Sequence, residues 1–170
     1  MKNRPIFVTG YFGAPIRQTA KKLAKEKGWP LLDLDRIIEE RDGRTVSRIC
    51  MMNGEHGYRN REYEVVEELL SGKGSAGEAR DGGLVIACGD GILYDDQTAG
   101  LLHGCGLVIA GEKMSRDCLW EKAKEDAGTW HAFMKFGSEE EKRAAFDEYH
   151  RRQQKLFAAV RREREKDGRD

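Results

Sequence analysis

Short apolar runs alternate with helical periodicities along most of the chain, a pattern that predicts an α/β domain built on a parallel sheet. Ile6–Thr9 reads as a first strand, followed by a helix from about Arg17 to Lys27 with Ala20, Leu23 and Ala24 on one face and Gly28 at its end. Trp29, Pro30, Leu31 and Leu32 predict a short buried strand that runs into Asp33, Leu34 and Asp35. Two helical stretches come next, one carrying Ile37 and Ile38, the other Val46, Ile49 and Cys50. A longer helix spans about Tyr58 to Leu70, with Tyr63, Val66 and Leu70 at helical spacing. The segment 71–83, rich in glycine and polar residues, is expected to be a mobile loop. Leu84–Cys88 is an uninterrupted apolar strand of the parallel-sheet kind, Asp95–His103 a short helix, and Leu107–Ala110 the fourth strand. Ser115 is placed to cap a helix ending near Glu125. After a loop over 126–137, Ser138 and Glu141 form a capping box that opens a long helix bearing Phe146, Tyr149, Leu156 and Val160. Beyond it, 161–170 is expected to be a solvated or frayed charged tail, and no internal repeat is present.

Length and charge narrow the function classes. A chain of 170 residues is one domain, able to bury roughly two-thirds of its unfolded surface. Its 30 Lys and Arg balance its 30 Asp and Glu, so no global field favours nucleic acid or an anionic membrane. No apolar run approaches the ~20 residues of a membrane span and no secretory h-region heads the chain, so a cytoplasmic location is expected. Cys50, Cys88, Cys105 and Cys118 lack C-x-x-C spacing and read as buried thiols rather than disulfides or zinc ligands.

The candidate chemistry begins after the first strand. Gly10 and Gly13 lie between that strand and the first helix, the layout of a phosphate-binding loop. Against the pattern G-x-x-x-x-G-K-[ST] counted from Gly10, Ala14 is the last loop residue before Pro15 stands at the second glycine, Ile16 at the lysine and Arg17 at the hydroxyl residue. Pro15 removes a backbone donor and fixes φ, Ile16 removes the ammonium that neutralises phosphate, and Arg17 removes a Mg²⁺ ligand. Thr19 replaces that hydroxyl only if the loop is two residues longer, and Arg17 offers a cation from a different helix face. The remaining polar residues cluster where ligands bind a parallel sheet, at the carboxyl ends of the strands: Asp33 and Asp35 after the second, Gly89, Asp90 and Gly91 after the third. Asp33 and Asp35 share a face if their strand continues through them, dividing metal binding and hydroxyl activation. The alternative is a helix cap for Asp35 and ordinary exposure for Asp33.

The stretches 28–41 (Gly-Trp-Pro-Leu-Leu-Asp-Leu-Asp-Arg-Ile-Ile-Glu-Glu-Arg), 43–49, 54–62 and 85–91 together resemble the shikimate kinase family, in order and near its spacing, over roughly residues 5–125. The resemblance implies a P-loop kinase-like three-layer α/β domain over 1–160 with a reduced lid at 126–137. Its parallel sheet has about four strands in the order 2-3-1-4, and the family's fifth strand is missing. It implies that Asp33 lies near Mg²⁺, that Asp35 binds the substrate hydroxyl, and that Arg59 grips the substrate carboxylate with Glu62 behind it. Gly89 and Gly91 match glycines that let backbone approach the substrate ring, and Asp90 between them sets a carboxylate beside an anionic ligand. The family's lid arginine falls within 130–134, where His131 is the nearest substitute. Its second substrate arginine falls near Gln153, with Arg151 or Arg152 as replacements in a shifted register.

Three readings follow. The leading one is a shikimate kinase-like domain with a disabled phosphate loop, not a competent ATP-dependent kinase, whose partner is a small carboxylate or another protein. The second is an active shikimate kinase using ATP and Mg²⁺, with Arg17 in place of the lysine. The third is an interaction module that uses the basic face of 151–164.

Overall fold

The computed structural model describes residues 3–72 and 83–168; most of the expected loop at 71–83 therefore lies outside the described residues. Four strands, β1 (Ile6–Gly10), β2 (Leu31–Asp33), β3 (Val85–Ala87) and β4 (Gly106–Ala110), form one parallel sheet in the order β2-β3-β1-β4. Among the described residues six α-helices accompany them: α1 (Ile16–Lys27), α2 (Leu34–Asp42), α3 (Val46–Ser71), α4 (Asp96–Leu102), α5 (Arg116–Lys124) and α6 (Glu139–Lys166).

Alternation along β1 sets the layers, because successive side chains leave a strand on opposite faces. Phe7 packs with Ile86, Leu34, Ile38, Ile49, Tyr58 and Val66 on one face, while Val8 meets Ala20 and Ala24 of α1 on the other. The small residues of α1 let it approach the sheet closely, and its lysines stay outside. A third cluster joins Phe12, Leu119, Trp120, Phe146 and Tyr149 beyond the carboxyl end of β1.

Most predicted elements form where the pattern places them, with their caps. Ser115 Oγ accepts the Cys118 N–H at 3.1 Å and Ser138 Oγ the Glu141 N–H at 3.1 Å. Three expectations are corrected. The strand at 29–32 is not buried: β2 is an edge strand and Leu31 is 38% exposed. It also ends at Asp33, so Asp35 lies in the first turn of α2 and the two carboxylates share no strand face. The chain beyond Val160 is not frayed but stays helical to Lys166. There Arg161 pairs with Glu112, and Arg164 donates to the Cys105 carbonyl at 2.7 Å, so α6 spans both ends of β4. These contacts, with Arg151 bound to Glu148 at 3.0 Å, engage much of the basic face that the interaction reading requires.

Candidate functional site

The turn after β1 is built by its own backbone. Gly13 has φ +95°, as the third position of a type II turn demands, and Ala14 N–H bonds Tyr11 O at 2.9 Å. A Cβ on Gly13 would sit 2.1 Å from the Leu119 carbonyl oxygen of α5, so no other residue fits. Tyr11 N–H donates to Ala110 O, Ile16 N–H to Ala14 O, and Phe12 N–H to Gln153 Oε1 at 3.0 Å. Gly10 packs against Ala110, and Ala14 against the cluster around Phe12. Thr19 Oγ1 donates to the Pro15 carbonyl at 2.8 Å. Arg17 turns toward β2, where its Nε meets Asp33 Oδ2 at 2.7 Å.

Asp33, not Asp35, is the helix cap: its Oδ1 accepts the Arg36 N–H at 3.2 Å while its Oδ2 takes Arg17. Each oxygen of the carboxylate expected near Mg²⁺ thus already accepts one hydrogen bond, and Arg17 competes with a cation for Oδ2. Among the described residues no group of three or more His, Cys, Asp or Glu side chains could hold a metal ion.

Asp35, Tyr58, Arg59, Glu62, Gly89 and Gly91 lie together, and their side chains bind mostly one another. Asp35 keeps part of its surface toward solvent, yet its carboxyl is packed so closely that burial pushes its pKa up to about 6 against the hydrogen bond donated by Tyr58. Arg59 is buried, with its guanidinium against the rings of both Tyr58 (4.8 Å) and Trp130 (4.9 Å). It pairs with Glu62 and, at 3.1 Å, with Glu55. Burial works against the Arg59 charge, but Glu62 and Glu55 outweigh it and raise its pKa. Burial likewise pushes Glu62 up to about 7 against the pull of Arg59, and its Oε2 has no hydrogen-bond partner. Gly91 is a glycine because a Cβ would lie 2.1 Å from the Arg59 guanidinium, while one on Gly89 would lie 2.9 Å from the Tyr58 hydroxyl.

Asp90 is not left facing a ligand. Its Oδ2 accepts from His131 Nε2 and from the Tyr149 hydroxyl, each at 3.0 Å, and Gln153 Nε2 donates to its main-chain carbonyl at 3.0 Å. Burial opposes the Asp90 charge, but His131, Arg59 and Tyr149 together hold its carboxyl below the ordinary range. His131, in the segment expected to be a loop, is 2% exposed. It is stacked between Phe12 (3.8 Å) and Trp130 (4.0 Å), with Nδ1 lying 2.6 Å from Thr129 Oγ1. The sequence reading missed Tyr149, Trp130 and Thr129 as members of this cluster. One signal was available, the i,i+4 spacing of Tyr149 and Gln153 on α6.

Beside this cluster opens a cavity of about 550 Å³ between α3, the segment 130–136 and α6. Arg152 lines it, whereas Arg151 is paired outside with Glu148.

Comparison with known proteins agrees with this architecture. The sequence model of shikimate kinase matches residues 17–166. A shikimate kinase of Legionella pneumophila strain Paris is 34% identical over 126 residues, covering 74% of this chain and 66% of that protein. One from Francisella tularensis subsp. holarctica strain OSU18 is 33% identical over 109 residues, 64% of this chain, so the match spans only 57% of that relative's length. Among solved structures, shikimate kinase from Acinetobacter baumannii in complex with shikimate superposes with TM-score 0.75 at 24% identity, covering 93% of this chain and 80% of that one. The Bacteroides thetaiotaomicron shikimate kinase gives 0.68 at 22% identity, covering 97% and 98%. No helix among the described residues is long and apolar enough to cross a membrane. With 17–166 matched by the family's model and the four parallel strands in the order 2-3-1-4, the chain belongs to the shikimate kinase family.

Proposed function

We propose that this chain is a cytoplasmic member of the family that has given up ATP-dependent phosphoryl transfer and keeps a pocket for a small carboxylate. The observation that carries the reading is the hydrogen bond from Phe12 N–H to Gln153, which, with the internal bonds of Tyr11, Ala14 and Ile16, engages donors that a phosphate would need. The Arg17–Asp33 ion pair supports it, since the cation and the metal-side carboxylate neutralise each other. The bound shikimate of the Acinetobacter baumannii relative supports a small carboxylate as the ligand class.

The alternative, an active shikimate kinase with Arg17 in place of the lysine, requires that ion pair to open. A coupled ADP-release assay with shikimate and Mg-ATP separates the two. The expected result is no turnover above buffer; turnover that Arg17→Ala abolishes would establish the alternative.

A further inference from the structure

The cavity beside Asp90 has a composition at odds with the polar cluster behind it. Its walls are the rings of Tyr94, Trp130, Phe133 and Tyr149, and its cations are Lys135 and Arg152. Its acidic lining residue, Glu55, is committed to Arg59 at 3.1 Å. Lys135 donates to Ser47 and has no carboxylate partner among the described residues. The Arg152 guanidinium lies 5.5 Å above the Tyr94 ring, and among the described residues no carboxylate pairs with it. The Tyr94 hydroxyl is buried without a hydrogen-bond partner. At the mouth, Phe136 and Met51 are 74% and 70% exposed, an apolar rim that solvation leaves unexplained.

Each feature bears on what would bind. Aromatic walls favour a flat π-system that can stack offset or edge-on. Unpaired cations at such walls favour an anion, and a guanidinium matches a carboxylate with two parallel hydrogen bonds. The groups that would recognise a ring of several hydroxyls are not in this lining: Asp35 is bound by Tyr58, and Arg59 lies behind Trp130 between its own carboxylates. A volume of about 550 Å³ is in the range of small-molecule sites.

We infer that this cavity binds an aromatic carboxylate, with its ring among Tyr94, Trp130, Phe133 and Tyr149 and its anion on Arg152 and Lys135. This ligand presupposes the small-acid pocket proposed above and specifies its occupant.

Calorimetric titration of the full chain with 2-naphthoate, cyclohexanecarboxylate and shikimate tests it. Saturable heat is expected from 2-naphthoate, with quenching of tryptophan emission as Trp130 is covered. Cyclohexanecarboxylate, with the same charge and no π-system, is expected to bind at least tenfold more weakly. Arg152→Gln, at an exposed position where the fold is insensitive, is expected to weaken 2-naphthoate at least tenfold, and adding Lys135→Gln to weaken it further. Undiminished 2-naphthoate binding in the double variant overturns the assignment of the anion site. Shikimate binding that exceeds 2-naphthoate and ignores Arg152→Gln overturns the aromatic ligand while leaving the small-acid reading intact. No heat from any of the three acids overturns both.

Discussion

Asp90 occupies a position flanked by glycines, and a carboxylate buried alone there would cost several kcal/mol. Its three side-chain and ring partners reverse that cost, so this charge favours the folded state. Glu62 presents the opposite case only a few residues of packing away, with one oxygen unpaired and a pKa pushed up to about 7 by burial. The two groups load the pH dependence of stability with opposite signs. Asp90 has its folded pKa depressed, so its contribution is present at neutral pH and is lost as pH falls below the ordinary carboxylate range. Glu62 and Asp35 are raised, so the folded state binds protons more tightly than the unfolded chain. Their contribution is full below the ordinary carboxylate range and is lost as pH rises through about 6 and 7. Burial lowers the pKa of His150, which adds a slope of the other sign as the unfolded histidine titrates. Comparing the wild type with Glu62→Gln cancels that common slope. Urea unfolding at pH 5 and pH 8 is expected to show wild-type stability falling more steeply with pH than that of Glu62→Gln. Equal slopes in the two proteins would contradict the raised Glu62 pKa.

Helix α6 is the element that ties the site together. Within one turn it presents Tyr149 to Asp90, and Gln153 to Asp90 and to the backbone of the turn after β1. Replacing Gln153 with Leu keeps the volume but strands the Phe12 N–H and removes a donor from the Asp90 carbonyl. The expected loss is about 3 kcal/mol, read as a lower urea midpoint at unchanged slope. The sequence made the helix itself legible through its capping box and apolar spacing, and the resemblance located its position in the fold. What it could not show is the face that Gln153 uses. By spacing alone a glutamine amid charged residues reads as surface; the resemblance set it near a substrate-binding arginine, but only the arrival of Phe12 and Asp90, far away in the chain, makes it core. The same limit applied to His131, whose burial depends on rings from two other segments. Asp33 and Asp35 stood out in the sequence as candidates, but which of them caps α2 turned on where β2 stops, a boundary of one or two residues that periodicity does not fix.

Across the whole molecule, the polar cluster and the cavity share a wall at Trp130, His131 and Tyr149, and one helix with a break in it serves both. Gly54, at φ 73° and ψ 170°, interrupts α3 between Cys50 and Met51, which line the cavity, and Arg59 and Glu62, which hold the buried cluster. A Cβ there would meet nothing within 4 Å, so the residue is a matter of backbone conformation rather than of space. The break changes the direction of the backbone inside one core, since Val46 and Ile49 before it pack in the same cluster as Tyr58, Val65 and Val66 after it. Glycine's freedom at this one position makes it the point of α3 where local opening would start, whereas Arg59 beyond it is held against Tyr58 and Trp130 and by Glu62. Hydrogen exchange is expected to be faster over 46–53 than over 58–66. Gly54→Ala, at a cost of about 1–3 kcal/mol for a Cβ at backbone angles that essentially only glycine adopts, is expected to reduce that difference. Uniform protection along α3 would mean the break is rigid. If it moves, the cavity is an adjustable volume set beside a fixed electrostatic floor, and ligand size can vary without disturbing the charges on which the fold depends.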